Sequence, residues 1–245
     1  MINRLLASLG ASELEKHADL LKCSGPGIFQ PTATTAYLLS KALEYSQNAD
    51  NILDLGCGWG VIGLELALRN QEKQKVFLSD LSATAVEACQ FNSTMLLLNN
   101  TEIRKGSLYE PWQNHKFDLI ISDVSGISSE APMRNLWFAD VPLDSNRDGL
   151  GLISQVLQQS ENYLFSKNSK VLMPAISLSN IPKMLTLIHE NDWKYKVIKE
   201  NHWLIPRPNH NEMEIMLDLR KSQDIHFELR GDKLVLTTQI LELTR

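Results

Sequence analysis

Residues 51–60 read Asn-Ile-Leu-Asp-Leu-Gly-Cys-Gly-Trp-Gly, and this stretch decides the fold. An acid, Asp54, lies inside a short apolar run. Glycines then stand at every second position, at Gly56, Gly58 and Gly60. Glycine adopts backbone angles that a side chain forbids and lets a ligand approach the main chain closely. Because the apolar residues 61–68 predict a helix, we expect a nucleoside-binding turn between a strand and a helix.

Two classes of ligand bind at such a turn. Gly58, Gly60 and Gly63 also spell the G-x-G-x-x-G pattern of dinucleotide-binding folds, which alone is weak evidence. In that pattern the first glycine follows the strand directly, whereas here Gly56 takes that place and Asp54 precedes it. An acid at this place suits a ligand that carries an ammonium group better than one that carries a pyrophosphate.

The same stretch resembles motif I of the class I S-adenosylmethionine-dependent methyltransferases. The resemblance implies that Asp54 helps to hold the glycine turn and the methionine end of the cofactor S-adenosyl-L-methionine. It also implies that the cofactor contacts the turn and the ends of the following strands. The implied contact residues are Asp54, Gly56, Cys57, Gly58, Gly60, Asp80, Leu81, Ser107, Leu108 and Asp123.

Composition and charge limit the classes of protein to which the chain can belong. The 245 residues are 43% apolar, with 12 glycines and 9 prolines, so the chain can bury a full core. The three cysteines are widely spaced, and neither a signal-peptide pattern nor an apolar run of membrane-spanning length is present. We therefore expect a cytoplasmic protein without disulfides. The formal net charge of −5 disfavours a nucleic-acid partner without excluding it.

Strand-like and helical stretches alternate along the chain. This alternation predicts an α/β fold with a mostly parallel, doubly wound, Rossmann-like sheet of seven strands. Helices are expected over 61–70, 82–95, 150–165 and 181–190. The predicted strands are 51–56, 75–80, 102–106, 117–123, 170–175, 195–200 and 213–219.

Three parts of the chain are predicted. Residues 1–29 form an N-terminal helical cap, residues 30–221 the S-adenosylmethionine-binding methyltransferase domain, and residues 222–245 a C-terminal β-hairpin extension. The hairpin turns at Gly231 and Asp232. Because its edge could pair with another chain, a dimer through this hairpin is one expectation, and the oligomeric state stays open.

Polar residues end the first four predicted strands, where ligands collect in an open α/β sheet. Asp80 follows the glycine turn by about 20 residues, a spacing at which an acid accepts both hydroxyl hydrogens of a ribose. Alternatively, Asp80 is the N-cap of the helix that begins near Ser82. Leu81 would lie against the adenine face. Ser107 meets the adenine edge or simply belongs to a turn.

From residue 80 onward the chain resembles the glutamine N5-methyltransferases that modify release factors and ribosomal protein. The resemblance covers residues 25–220 and is stronger in the cofactor half. It rests on Ala-Val-Glu-Ala at 85–88, Gly-Ser-Leu-Tyr-Glu-Pro at 106–111, Phe-Asp-Leu-Ile-Ile-Ser-Asp at 117–123 and Asp-Gly-Leu at 148–150. Residues 27–35 are similar in placement to that family's substrate-side entry segment.

The chain departs from this family at two places. Ser107 stands where the family has an acid, and Asp-Val-Ser-Gly at 123–126 replaces the family's Asn-Pro-Pro-Tyr, which holds a planar nitrogen. We expect Asp123 to orient or deprotonate the methyl acceptor, with Ser125 as a second hydrogen-bonding group. The alternative is that Asp123 merely caps a loop. Trp137 and Phe138 are the aromatic residues best placed for an acceptor platform.

No metal site is predicted. His202, His210 and Glu212 match no common ligand pattern and are expected in a surface loop around the prolines of 205–208. Three functions stay open. The first is methyl transfer to a nitrogen or oxygen of a small molecule or a protein side chain. The others are methyl transfer to a nucleic acid and non-catalytic binding of S-adenosylmethionine.

Overall fold

The computed structural model describes residues 2–132, 141 and 145–245. Within these residues the α-helices are α1 Ile2–Leu9, α2 Ser12–Glu15, α3 Ala33–Tyr45, α4 Val61–Arg69, α5 Ala83–Met95, α6 Gly151–Gln159, α7 Ile181–Glu190 and α8 His210–Lys221. The strands are β1 Asn51–Leu55, β2 Lys75–Asp80, β3 Thr101–Lys105, β4 Leu119–Ser122, β5 Lys170–Ile176, β6 Lys194–Pro206, β7 Glu228–Arg230 and β8 Lys233–Thr244. No described helix is both long and apolar enough to cross a membrane.

All strands of the described residues belong to one mixed sheet. Its order is β3-β2-β1-β4-β5-β8-β6, and β7 pairs with β8. The pairs from β3 to β5 are parallel, whereas β8 is antiparallel to β5, β6 and β7. The predicted fold class is therefore confirmed. Because β1 lies in the middle of the parallel part, its carboxyl end is flanked by the carboxyl ends of β2 and β4.

The C-terminal segment forms the predicted hairpin, with Gly231 in the left-handed region at φ +62°. Its second strand, β8, lies inside the sheet between β5 and β6, with Leu241 opposite Met173 and Val197. Because β8 has neighbours on both sides, pairing with another chain would use β6 or β7. A dimer through this hairpin and the division of the chain into three parts stay predictions.

The predicted strand at 213–219 is wrong, because these residues lie in helix α8. Asn209 and Glu212 form a capping box that starts this helix. Its buried residues, Met213, Met216 and Leu219, follow the helical spacing. The loop expected around residues 205–208 is also shorter than predicted, because β6 extends to Pro206. Within the described part of the chain, no group of three metal-ligating side chains occurs.

The N-terminal helices pack on the core, with α1 against α3 and α2 against α4. Leu6 of α1 and Leu14 of α2 are fully buried. The carboxylate of Glu65 in α4 accepts the backbone N–H groups of Glu13 and Leu14 at 3.2 and 2.9 Å. Asn92 of α5 donates to the carbonyl oxygens of Lys22 and Trp59, at 2.9 and 3.0 Å. These contacts connect the N-terminal segment to the turn that follows β1.

Candidate functional site

The turn after β1 requires glycine at two of its three alternating positions. Gly56, Gly58 and Gly60 have φ angles of +77°, +55° and +97°. A Cβ atom on Gly56 would lie 3.1 Å from the carbonyl oxygen of Asp123, and one on Gly60 would lie 2.6 Å from Cδ1 of Leu64. A Cβ atom on Gly58 would meet nothing within 4 Å. The turn thus lies directly against the chain that leaves β4.

Asp54 holds the start of helix α4. Its side chain is buried, and its Oδ2 accepts the backbone N–H of Gly63 at 2.8 Å. Its Oδ1 is buried without a hydrogen-bond partner in the described residues. Burial, with a smaller contribution from the charges of Asp123 and Asp80, raises the pKa of Asp54 to about 8, although the Gly63 hydrogen bond opposes the shift. The carboxyl therefore lacks a positive partner.

Asp80 ends β2 with its carboxylate fixed in place. Its Oδ2 accepts the N–H of Gly58 at 2.9 Å, and its Oδ1 accepts the N–H of Ser82 at 2.8 Å. Burial raises its pKa, while these hydrogen bonds oppose the shift. Ser82 is the N-cap residue of α5, since its Oγ accepts the N–H of Ala85 at 3.3 Å. Each oxygen of Asp80 still has a lone pair for a further donor.

Asp123 follows β4 and is half-buried. Its N–H donates to the carbonyl of Leu55 at 3.0 Å, and its Oδ2 accepts the hydroxyl of Thr35 at 3.1 Å. Burial raises the pKa of Asp123 to about 6, and the Thr35 hydrogen bond lowers it. Thr35 is itself oriented, because its Oγ1 accepts the N–H of Thr32 in the capping box of α3. A carboxylate with this pKa can accept a proton near neutral pH.

Ser125 is the second residue singled out in this loop. Its side chain is buried, with 7% of the residue exposed. Its Oγ makes no hydrogen bond within the described residues. A buried hydroxyl without a partner is unusual in a folded protein and indicates a ligand or water partner.

The carboxyl ends of the strands surround a cleft of about 640 Å³ that opens to solvent, which we call the main cleft. Seven of the predicted residues line it, namely Gly56, Asp80, Leu81, Ser107, Leu108, Asp123 and Ser125. Asp54, Cys57 and Gly58 line a smaller adjoining pocket, which shares Gly56 and Asp123 with the main cleft. Gly60 lines neither, and its place at the N-terminus of α4 gives it a role in shaping the turn.

Ser107 and Leu108 lie in the turn after β3. The carbonyl oxygen of Ser107 accepts the N–H of Glu110 at 3.0 Å, and Leu108 has a φ of +46°. Cys57 is buried, and a hydrogen bond with Cys89, followed by burial, raises its pKa. A thiol with a raised pKa is a poor nucleophile, so the raised pKa of Cys57 does not support a nucleophilic role. All three cysteines of the chain are free.

A second cavity, of about 430 Å³, adjoins the main cleft, and we call it the side cavity. The two share Phe29, Asp123, Val124 and Ser125. The other walls of the side cavity include Thr32, Thr34, Ile127, Pro174, Ile176 and Trp203. Asp123 and Ser125 therefore lie where the two spaces meet. Trp137 and Phe138, proposed from the sequence as an acceptor platform, lie outside the described residues.

Three acidic side chains, Asp54, Asp80 and Asp123, converge on this site, and no lysine, arginine or histidine is among the described residues that line the cleft, the pocket or the side cavity. Uncompensated carboxyl groups at a buried site favour a cationic ligand. S-adenosylmethionine carries an ammonium and a sulfonium group. The partnerless Oδ1 of Asp54 and the acid-rich lining therefore fit this cofactor.

Comparison with known proteins agrees with these observations. Residues 23–123 match the model of the family described as Methyltransferase small domain. The release factor glutamine methyltransferase of Aliivibrio fischeri is 31% identical over 149 residues, which cover 58% of this chain and 51% of that protein. The ribosomal protein L11 methyltransferase of Lactobacillus johnsonii is 24% identical over 173 residues, which cover 70% of this chain and 46% of that protein.

The chain thus spans about half the length of the curated relatives it matches. Among solved structures, precorrin-6y C5,15-methyltransferase from Geobacter metallireducens has a TM-score of 0.53 and 11% identity. The match covers 90% of this chain and 100% of that chain, and it shows the fold alone. The family resemblance predicted from the sequence is confirmed.

Proposed function

From the methyltransferase domain matched at residues 23–123, we propose that the protein is an S-adenosylmethionine-dependent methyltransferase. It transfers a methyl group to a nitrogen or oxygen of a small molecule or a protein side chain. The observation that carries the proposal is the arrangement of Asp54, Asp80 and Asp123 around one glycine turn, with no basic residue among the described lining residues.

Each part of the main cleft has a role in this proposal. Asp54 stabilises the glycine turn and the amino-acid end of the cofactor, and Asp80 accepts the ribose hydroxyl hydrogens. Leu81 and Leu108 contact the adenine faces, and Ser107 contacts its edge. When bound, S-adenosylmethionine supplies an electrophilic methyl group on a sulfonium, which becomes a neutral thioether after transfer.

Asp123 and Ser125 act on the acceptor. Methyl transfer depends mainly on holding the nucleophile in line, so positioning supplies most of the rate. Asp123 orients the acceptor through a hydrogen bond and takes up the proton that the acceptor loses, because its pKa of about 6 suits a base near neutral pH. Ser125 provides a second hydrogen bond. The proton then passes from Asp123 to solvent.

The acceptor is a protein side chain or a small molecule. The relatives named for release factor glutamine and for ribosomal protein L11 support a protein acceptor. Residues 123–126, which replace the Asn-Pro-Pro-Tyr of the glutamine methyltransferases, and the side cavity support an acceptor other than glutamine. A nucleic-acid acceptor is the weaker alternative because the formal net charge is −5. We further propose a cytoplasmic location, consistent with three free cysteines.

The experiment is a methyl-transfer screen with S-adenosylmethionine labelled in its methyl group, offered small molecules first and then peptides and RNA. The proposal predicts labelled product with the wild type and at least about a hundredfold slower transfer with Asp123→Asn, as expected for loss of a general base. Cofactor binding without transfer to any acceptor would favour the non-catalytic alternative. Labelling of RNA alone would favour the nucleic-acid alternative.

A further inference from the structure

The side cavity has mostly apolar walls. Ile127, Pro174, Ile176 and Trp203 contribute carbon surface, and Phe29 lines both this space and the main cleft. Residues 27–35, which the sequence placed near the substrate, supply part of the wall. The side cavity is partly open to solvent, and walls of this kind favour a flat or compact apolar group over an extended polar one.

Most polar groups around the side cavity already have partners. The indole N–H of Trp203 donates to Oγ1 of Thr238 at 3.1 Å, and that oxygen is 3.3 Å from Oγ1 of Thr34. The hydroxyl oxygen of Thr32 accepts the N–H of Thr34 at 3.2 Å. These hydrogen bonds connect the walls of the side cavity, and they occupy the polar groups that take part in them.

Two polar groups, where the side cavity meets the main cleft, differ from the rest. The Oγ of Ser125 has no hydrogen-bond partner within the described residues. The carboxylate of Asp123 accepts the Thr35 hydroxyl at Oδ2, which leaves Oδ1 for a ligand. The cavity thus offers one carboxylate oxygen that accepts a proton and one hydroxyl that can donate.

Charge narrows the ligand class further. No lysine, arginine or histidine occurs among the described residues of these walls, so a carboxylate or phosphate on the ligand would meet no counter-ion among them. A primary ammonium carries three N–H donors, whereas Asp123 Oδ1 and Ser125 Oγ are the two acceptors left for a ligand among the described walls, so one donor would stay unpaired. An uncharged ligand with a single donor therefore fits best.

We propose that the side cavity binds an aromatic ring bearing a hydroxyl group, that is, a phenol, as the methyl acceptor. This inference rests on the proposed function and specifies its substrate class. The ring lies between the apolar walls, and its hydroxyl donates to Asp123 and accepts from Ser125. A primary amide, as in a glutamine side chain, has two N–H donors and a carbonyl, so it would leave polar groups unpaired in this space.

The test follows the indole N–H signal of Trp203 by two-dimensional NMR of the ¹⁵N-labelled full chain, with the signal assigned from its loss in Trp203→Phe. The probe is 4-methylphenol, added without cofactor. The expected result is a saturable shift of the Trp203 signal. Toluene, which lacks the hydroxyl, binds at least about tenfold more weakly, as expected for the loss of two hydrogen bonds. Neither 4-methylbenzoate nor propionamide shifts the signal at the same concentration.

A variant of Ser125 tests the proposed hydrogen bond to the phenol hydroxyl. Ser125→Ala weakens 4-methylphenol binding by about two- to tenfold, as expected for one hydrogen bond. The matched control Ser40→Ala, at an exposed position of α3, binds like the wild type. A shift of the Trp203 signal by propionamide or 4-methylbenzoate at equal or lower concentration would overturn the inference. So would the absence of any 4-methylphenol shift in folded protein.

A separate calorimetric titration with S-adenosylmethionine distinguishes this inference from the proposed function. Cofactor binding without a 4-methylphenol shift overturns the phenol class and leaves the proposed function standing. A 4-methylphenol shift without cofactor binding contradicts the proposed function, and with it the role of the bound phenol as an acceptor.

Discussion

Substitution of Gly56 by alanine tests how the turn after β1 positions Asp123. Gly56 has a φ of +77°, and an added Cβ atom would lie 3.1 Å from the carbonyl oxygen of Asp123 and 3.3 Å from the N atom of Val124. Left-handed backbone costs alanine about 1 kcal/mol, and overpacking against these fixed atoms adds about 1–3 kcal/mol. We therefore expect Gly56→Ala to lower the free energy of unfolding by about 2–4 kcal/mol.

Gly58→Ala is the matched control in the same turn. Its φ is +55°, and its added Cβ atom would meet nothing within 4 Å. Only the cost of left-handed backbone applies, so we expect the free energy of unfolding to fall by about 1 kcal/mol. Gly58→Ala also keeps the N–H that donates to Asp80. The two variants therefore differ chiefly in the contact with the chain after β4.

Urea unfolding measures both losses, provided that the slope of the transition is unchanged. Because Gly56→Ala displaces the main chain of Asp123, we also expect it to weaken S-adenosylmethionine binding at least about tenfold, or about 1.4 kcal/mol. Equal destabilisation by the two alanines would refute the packing argument. Wild-type cofactor binding by Gly56→Ala would refute the link between the turn and the site.

Three further predictions concern titration. Asp54 keeps its proton in the folded state up to its pKa of about 8 and loses it at about 3.8 in the unfolded state. The free energy of unfolding should therefore fall by about 1.4 kcal/mol per pH unit between these values. Urea unfolding across this range checks the fall, which Asp54→Asn should make shallower without abolishing it, because the raised pKa values of Asp80 and Asp123 act in the same direction. Thr35→Val should raise the pKa of Asp123 above about 6, measured by carboxyl ¹³C NMR, whereas Thr35→Ser should keep it. The rate of methyl transfer should decline below pH about 6, where Asp123 becomes protonated, and Asp123→Asn should lose this dependence. A pH profile of Asp123→Asn that matches the wild-type profile would contradict the role of Asp123 as a base.

The parallel half of the sheet could be predicted from the sequence because β1, β2 and β4 are short, mostly apolar runs that are followed by or end in polar residues. The bounds of β2, Lys75–Asp80, agree with the prediction at both ends. Buried parallel strands give this signal because both of their faces are covered. The glycine spacing after β1 similarly reports a local backbone requirement.

The antiparallel half was harder to predict because its signals are ambiguous. Met213, Ile215, Leu217 and Leu219 alternate as a strand would, yet Ile215 and Leu217 are exposed on helix α8. The capping box of Asn209 and Glu212 was the sequence signal that could have corrected this. The position of β8 between β5 and β6 depends on pairing between residues far apart in the sequence. The local spacing of residues along the chain does not predict such pairing.

Several residues of the candidate site come from distant segments, and the sequence did not predict their individual contacts. Thr35, which donates to Asp123, lies 88 residues away from it in the chain. Trp203 reaches the side cavity from β6, and Phe29 comes from the segment before α3. Motif spacing identifies residues within one strand-turn-helix unit, whereas these contacts arise only when the sheet and the helices pack.

The most direct test of the central claim is calorimetric titration of the purified protein with S-adenosylmethionine, with Asp80→Ala and Glu190→Ala as paired variants. Glu190 is an exposed acid at the end of α7, outside the cleft. The account predicts binding by the wild type and by Glu190→Ala, and at least about tenfold weaker binding by folded Asp80→Ala. No binding by the wild type, or equal binding by all three proteins, would contradict it.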